Sequence, residues 1–259
     1  MSQTTSMPVV FIGHGSPMLA IQDTDLTRSW EEIAQQIGKP KAILSISAHW
    51  YTETTAVQSS LKPQQIYDMY NFPEELYAKT YPVHGDAQLS QQVQELLKEH
   101  NIQVDNTWGI DHGSWAILTH MYPEADIPVV QLSVNSKLSP AQQYELGQKL
   151  QSLREQGILI FASGNIVHNL SLISRDGSNP DLAWAKEFDN WVRDQVVARN
   201  LEQLLAYKEH PHAKLAAPTT DHVEPLFYVL GATNEKDQVK VFNDDILGGA
   251  LSYTSFIWR

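Results

Sequence analysis

His14, His49, His168 and His222 lie far apart in the chain, yet each closes an apolar run or opens a helical one. Val9-Val-Phe-Ile12 reads as a buried strand that stops at Gly13. His14 then sits between two glycines, where the backbone turns freely and nothing bulky crowds the ring. Ala42-Ile-Leu-Ser-Ile-Ser-Ala48 runs straight into His49, and Ile158-Leu-Ile-Phe-Ala-Ser163 empties through Gly164-Asn-Ile-Val into His168. His222 lies in Pro218-Thr-Thr-Asp-His-Val-Glu-Pro225, where Thr219 or Thr220 as cap would put it in the first turn of a helix. Neutral imidazole is the commonest metal ligand, and three ligands with open positions is what a catalytic divalent metal requires. A further histidine that stays uncoordinated titrates near neutrality and can move protons. The spacing excludes a local His-Glu-x-x-His motif, so only the fold can assemble such a site. Taken singly, each of these histidines also fits an ordinary turn; the coincidence of four points to a metal.

Other residues bear on the same chemistry. Trp108-Gly-Ile-Asp-His-Gly-Ser-Trp115 places Asp111 and His112 just ahead of a short apolar helix over 115–121. A helix N-terminus disfavours a charged imidazole, so His112 is either a neutral hydrogen-bond donor to substrate or a turn residue bonded to backbone. Residues 60–84 carry Tyr67, Tyr70, Phe72, Tyr77 and Tyr81 among Pro63, Pro73 and Pro82. Such a loop is either a binding wall or lid, or a satellite core. His210-Pro-His212 has the look of a metal pair but falls in a polar, proline-broken loop. Gly13-His-Gly-Ser-Pro17 is not Gly-x-Ser-x-Gly, which argues against a serine hydrolase.

The elements that must position these residues follow from periodicity. Strands are predicted over 8–13, 42–49, 102–104, 127–134, 158–163, 238–242 and 250–258, the last alternating like an antiparallel edge. Helices are predicted over 25–37, 86–99, 139–156 and 181–199, with further turns over 201–208 and a helix opened by 218–225. A polar loop is expected over 175–180. Strands alternating with helices make an α/β fold, and histidines at strand exits put the site at the strand carboxyl ends. No repeat or linker divides the 259 residues, so one domain over 1–259 is expected.

Composition narrows the function. Asp and Glu (30) outnumber Lys and Arg (18), and a net charge of −12 repels a phosphate backbone, so no nucleic-acid partner is expected. No apolar stretch approaches the roughly 18–20 residues of a membrane span, and no membrane association is expected. Residues 1–7 lack the pattern of a signal peptide. Zero cysteines remove disulfides, thiolate ligands and cysteine nucleophiles together, and a cytoplasmic location fits.

Five short motifs then occur in order: Gly-His-Gly-Ser-Pro (13–17), Ser-Ala-His-Trp (47–50), Asp-His-Gly-Ser-Trp (111–115), Gly-Asn-x-Val-His-Asn (164–169) and His-x-x-Pro-Leu (222–226). The set resembles the class III extradiol ring-cleavage dioxygenases of the 4,5-DOPA dioxygenase type, from about residue 8 to 258. The resemblance implies a central mixed β-sheet covered by helices on both faces, acting on a small aromatic diol and O₂ with one divalent metal per chain. It implies 4,5-cleavage of a catechol such as DOPA to a seco-DOPA type semialdehyde. Fe(II) is expected for catalysis, and a site of three imidazoles also suits Zn(II) in the isolated protein. Carried over by residue, it makes His14, His49 and His222 the metal ligands and His168 the acid/base, with His168 also a candidate fourth metal contact. His112 is implied as a substrate-pocket residue, and Ser16, Trp50 and Tyr67 beside these motifs are candidate substrate contacts. Distant protocatechuate-cleaving relatives supply a carboxylate where His222 stands here, and Ala217, Thr220 and Asp221 depart from the usual His-Pro-Thr-Pro-Glu-His. Asp221 or Glu224 is therefore an alternative third ligand. Two other classes share the histidines: a zinc hydrolase with His168 or Glu224 as base, and a non-catalytic metal-binding protein. A monomer or small homo-oligomer is expected.

Overall fold

The computed structural model describes residues 6–174, 176, 178, 180 and 182–259. Arg175, Gly177, Asn179 and Asp181, from the expected polar loop and helix start, lie outside the described residues, as do residues 1–5 of the N-terminal stretch.

Alternation along the first strand sets the layers. In Val9–Gly13 (β1), Val9 and Phe11 enter one apolar core while Val10 and Ile12 enter a second, so both faces must be covered. The same division recurs in Ala42–Thr52 (β2), where Leu44 and Ile46 oppose Ile43. The remaining strands are Ala56–Val57 (β3), Gln103–Val104 (β4), Val129–Asn135 (β5), Ile158–Gly164 (β6), Val239–Phe242 (β7), Ile246–Leu247 (β8), Leu251–Ser252 (β9) and Ser255–Trp258 (β10). Eight form one sheet in the order β4-β3-β5-β2-β6-β1-β10-β7, and β8 pairs with β9. The central four, β5-β2-β6-β1, run parallel, while β10 and β7 on one side and β3 on the other introduce antiparallel pairs.

The helices are Asp25–Ile37 (α1), Glu74–Ala78 (α2), Ala87–Leu96 (α3), His112–Met121 (α4), Pro140–Leu150 (α5), Ala183–Val197 (α6), Leu201–Leu205 (α7), Ala213–Ala216 (α8) and Pro225–Ala232 (α9). Trp30 and Ile33 of α1 pack with Trp115 and Ile117 of α4 on one face, and Leu146 of α5, Phe188 of α6 and Phe227 of α9 on the other. Thr24 and Ser139 close capping boxes on α1 and α5, the kind of start their sequences specify. Among the described residues no helix is long and apolar enough to cross a membrane.

Three expectations change. The strand expected over 250–258 splits at Tyr253, and β10 is not an edge: it lies between β1 and β7, all four residues buried. The helix expected from Thr219 or Thr220 begins only at Pro225, which lacks an N–H and so takes the first helical position. His222 therefore sits in the preceding turn, where Thr220 carbonyl accepts from Val223 and Glu224 N–H at 3.1 and 3.0 Å. Finally, β2 does not stop at His49 but continues to Thr52, with its pairing to β5 shifting register between Ile46 and Tyr51. That irregularity spans the histidine and re-aims it, as bulges next to functional sites do.

A buried ion pair closes the far end. Arg154 forks onto Asp237 with two contacts of 2.7 Å and also donates to the carbonyls of Met7 (2.7 Å) and Ala232 (3.0 Å). It thus ties the start of β1 to the end of α9.

Candidate metal centre

Parallel register brings the strand ends together. Gly13 pairs with Gly164 and Ser47 with Ser163, so the residues after β1 and β6 and the late part of β2 share one edge of the sheet. His14 leaves β1 there, His49 projects from β2, His112 opens α4, and His168 follows β6. The turn before α9 adds His222, whose carbonyl accepts the Asn165 N–H at 2.8 Å. Two glycines permit the approach. A Cβ on Gly164 would lie 2.1 Å from the His222 carbonyl oxygen, and one on Gly113 would lie 2.5 Å from Ser47 Oγ and 2.9 Å from the His49 ring. The ring centroids of His49, His222 and His112 stand 4.9, 5.2 and 5.7 Å from that of His14, and His168 stacks on His222 at 3.5 Å.

Four of these rings have an oxygen at Nδ1. Ser163 Oγ lies 2.9 Å from His14 Nδ1, Asp68 Oδ2 lies 3.0 Å from His49 Nδ1 and 2.9 Å from His112 Nδ1, and Asp221 bonds His222 Nδ1. Each arrangement leaves Nε2 as the outward nitrogen, which is how a protein orients imidazoles toward a metal. His14 Nε2 and His49 Nε2 are 3.0 Å apart, well inside the roughly 4.2 Å that bounds two ligands bonded at about 2.1 Å to one ion. His222 Nε2 is buried with no hydrogen-bond partner, an orphan atom that a metal would satisfy. Ligand nitrogens of His14, His49 and His112 also fall within 4.8 Å of one another, so His112 belongs to the same cluster of potential donors. The donor set fits a divalent transition metal held by imidazole.

Protonation agrees with that chemistry. Burial drives the His14 pKa well below its ordinary value, and the neighbouring imidazoles add to the shift. Burial likewise lowers His222, with Asp221 opposing, and lowers His112, with Asp68 opposing. His168 falls to about 3, by burial first and then by His222. On His49 burial also disfavours charge, but the contact with Asp68 and the field of Asp111 outweigh it and the pKa rises. Asp68 and Asp221 resist the upward push of burial and stay well below the usual carboxylate range because imidazoles face them. His14, His112, His168 and His222 are thus held neutral, whereas His49, whose charged form the carboxylates favour, gives up a proton on ligating a cation.

The cluster floors a cavity of about 410 Å³. Ser16 lines it, as do Met69, Tyr70, Phe72, Leu247 and Leu251. Trp50 and Tyr67 do not: Trp50 is buried, and the Tyr67 hydroxyl donates to Lys79 carbonyl at 2.7 Å. The wall is built instead by the residues just after Tyr67. Asp221 is committed to His222, and Glu224 is buried and accepts from Gln143 Nε2 at 2.9 Å, outside the cavity lining. His210 and His212 lie apart from the cluster, His212 Nε2 contacting Glu187 at 2.9 Å. Sequence reading missed Asp68, which the loop after β3 brings to the site, and Leu247 and Leu251, which the β8–β9 pair brings there. Ser163 was visible as the last residue before Gly164, though not as a partner of His14.

Buried histidines gathered at the parallel strand ends suit a divalent metal. The model of the catalytic LigB subunit of aromatic ring-opening dioxygenases matches residues 8–250, and the chain belongs to that family. It is 41% identical over 256 residues to the 4,5-DOPA dioxygenase extradiol of Escherichia coli K12, covering 97% of this chain and 94% of the relative. The Beta vulgaris protein of the same name is 39% identical over 257 residues, covering 95% and 94%. The crystal structure of an uncharacterized protein from Escherichia coli K12 superposes with a TM-score of 0.86 at 37% identity, covering 97% of this chain and 99% of that one. The protein is thus an extradiol dioxygenase, an oxidoreductase, with a histidine metal site.

Proposed function

We propose that this dioxygenase opens the ring of a small catechol of the DOPA type by 4,5-cleavage, giving a seco-DOPA type semialdehyde, with its metal held by His14, His49 and His222. The observation that supports this ligand set is His222 Nε2, buried and unpartnered beside the His14 and His49 Nε2 atoms, which are 3.0 Å apart. Iron(II) held there would supply the redox-active centre that ring opening by O₂ needs. Zinc fits the same donors without that redox capacity.

The protein's own groups do the rest. His168, neutral and lining the cavity, is placed to take a phenolic proton as catechol binds and to return it as a general acid. His112 stands across the cluster and hydrogen-bonds a substrate oxygen. Met69, Phe72 and Leu251 sandwich the ring and exclude water, while Ser16 supplies a polar contact at the rim. The cysteine-free composition supports a cytoplasmic enzyme. The test is oxygen uptake by iron-loaded protein with a panel of catechols. Uptake equimolar with catechol and a yellow semialdehyde product is expected; turnover that proceeds without oxygen would mean hydrolysis and overturn the reading.

A further inference from the structure

Asp68 sits in the irregular loop between β3 and α2 and touches the site at three atoms. Its Oδ1 accepts the backbone N–H of His112, the first residue of α4, at 3.0 Å. Its Oδ2 stands 3.0 Å from His49 Nδ1 and 2.9 Å from His112 Nδ1, not aligned as a hydrogen bond to either. The carboxylate is only 11% exposed. The chain that delivers it is tied down: Ile66 N–H donates to Ile110 carbonyl and Trp115 Nε1 to Ile66 carbonyl, both at 2.9 Å. Gln65 fixes the return of the loop, donating to Lys79 carbonyl at 3.0 Å and accepting from Tyr81 N–H at 2.7 Å. Met69, Tyr70 and Phe72, next in sequence, are cavity wall.

We propose that Asp68 is a positioning residue that sets one strand histidine and one helix histidine at once, so that metal affinity and substrate binding depend on a single loop carboxylate. The proposal rests on the metal-site reading above. A carboxylate beside Nδ1 favours the tautomer with its proton there, which leaves the Nε2 lone pair of His49 for the metal. The same carboxylate holds the start of α4 through the His112 N–H and faces the His112 ring, whose centroid is 3.9 Å from that of His49. Since the wall residues follow directly, the loop that shapes the cavity also holds the ligand.

The test compares Asp68→Ala and Asp68→Asn with Gln65→Ala, which loosens the same loop without touching a histidine. Zinc alone is titrated in competition with a chromophoric chelator, thermal melts check folding, and KM and kcat for a catechol are measured on iron-loaded protein. Asp68→Ala is expected to lose about 10–100-fold in zinc affinity, the usual effect of removing an outer partner of a ligating histidine, and to raise KM. Asp68→Asn, which keeps an acceptor for the His112 N–H, is expected to lose less. Gln65→Ala is expected to bind zinc as the wild type does. Wild-type zinc affinity in a folded Asp68→Ala, or an equal loss in Gln65→Ala, would overturn the proposal. Should Asp68→Ala not fold, undiminished zinc affinity in Asp68→Asn overturns it and a loss supports it. A wild type that takes up no oxygen with any catechol defeats the ring-cleavage reading alone, since the zinc titration still decides the role of Asp68.

Discussion

The imidazole of His168 lies flat on that of His222, centroids 3.5 Å apart and planes within 5°. Imidazole lone pairs lie in the ring plane, and the stacking keeps these two planes apart. The stacking supports the proposed division of roles, with the buried, unpartnered Nε2 of His222 left for the metal and His168 kept for proton transfer.

Replacing His168 by Ala should leave metal content near normal while kcat falls by about two to four orders of magnitude, the range for loss of a general acid–base. Replacing His14 or His49 by Ala should empty the site. Metal analysis beside steady-state kinetics checks both, and equal metal loss in all three variants would make His168 a ligand.

Gly164→Ala should damage the centre from outside the cavity. Its Cβ would stand 2.1 Å from the His222 carbonyl oxygen, backbone that can move only by shifting the turn. A stability loss of about 1–3 kcal/mol by denaturant titration, together with weaker metal binding, is expected. A variant of wild-type stability and metal affinity would show that the turn yields freely.

Legibility in the sequence followed how local each signal was. His14 and His168 could be read because an apolar run ends just before each, and parallel register brings Gly13 opposite Gly164. His49 was found for the same reason, although its strand runs on past it, because a register shift leaves no mark in composition. The turn holding His222 reads as helix because Thr219 and Thr220 look like caps, but Pro225 sets the helix start. Alternation over 250–258 suggests an edge strand, whereas Ser255-Phe-Ile-Trp258 is uniformly buried. Asp68, Leu247 and Leu251 join the site only when distant segments of the chain meet, and no periodicity encodes that.

Arg154→Ala should cost about 3–5 kcal/mol in denaturant-induced unfolding, because Asp237 is left buried without its partner. The pair lies at the other end of β1 from His14, so folded variant at low temperature should retain metal. A loss below about 1 kcal/mol would class the pair with surface bridges.

Asp189 makes stability depend on pH. Burial raises its carboxyl to about 6, against the hydroxyls of Ser252 and Thr254 that bond it. The folded pKa exceeds the unfolded value near 3.9, so between those pH values the native state binds more protons than the unfolded chain. Its contribution is fully present below about pH 4 and is lost as pH rises through about 6, amounting to about 3 kcal/mol at most. The difference in unfolding free energy between wild type and Asp189→Asn, followed from pH 4 to 8, should move in favour of the Asn variant. A pH-independent difference would refute the assignment.

The central claim is that three imidazoles from β1, β2 and the turn before α9 hold one ion. Anomalous scattering from crystals of the iron-loaded protein tests it most directly. A single peak at about 2.1 Å from Nε2 of His14, His49 and His222, with His168 unbonded, is the expected result. A peak bonded to His112 in place of His222, or none at the cluster, would contradict it.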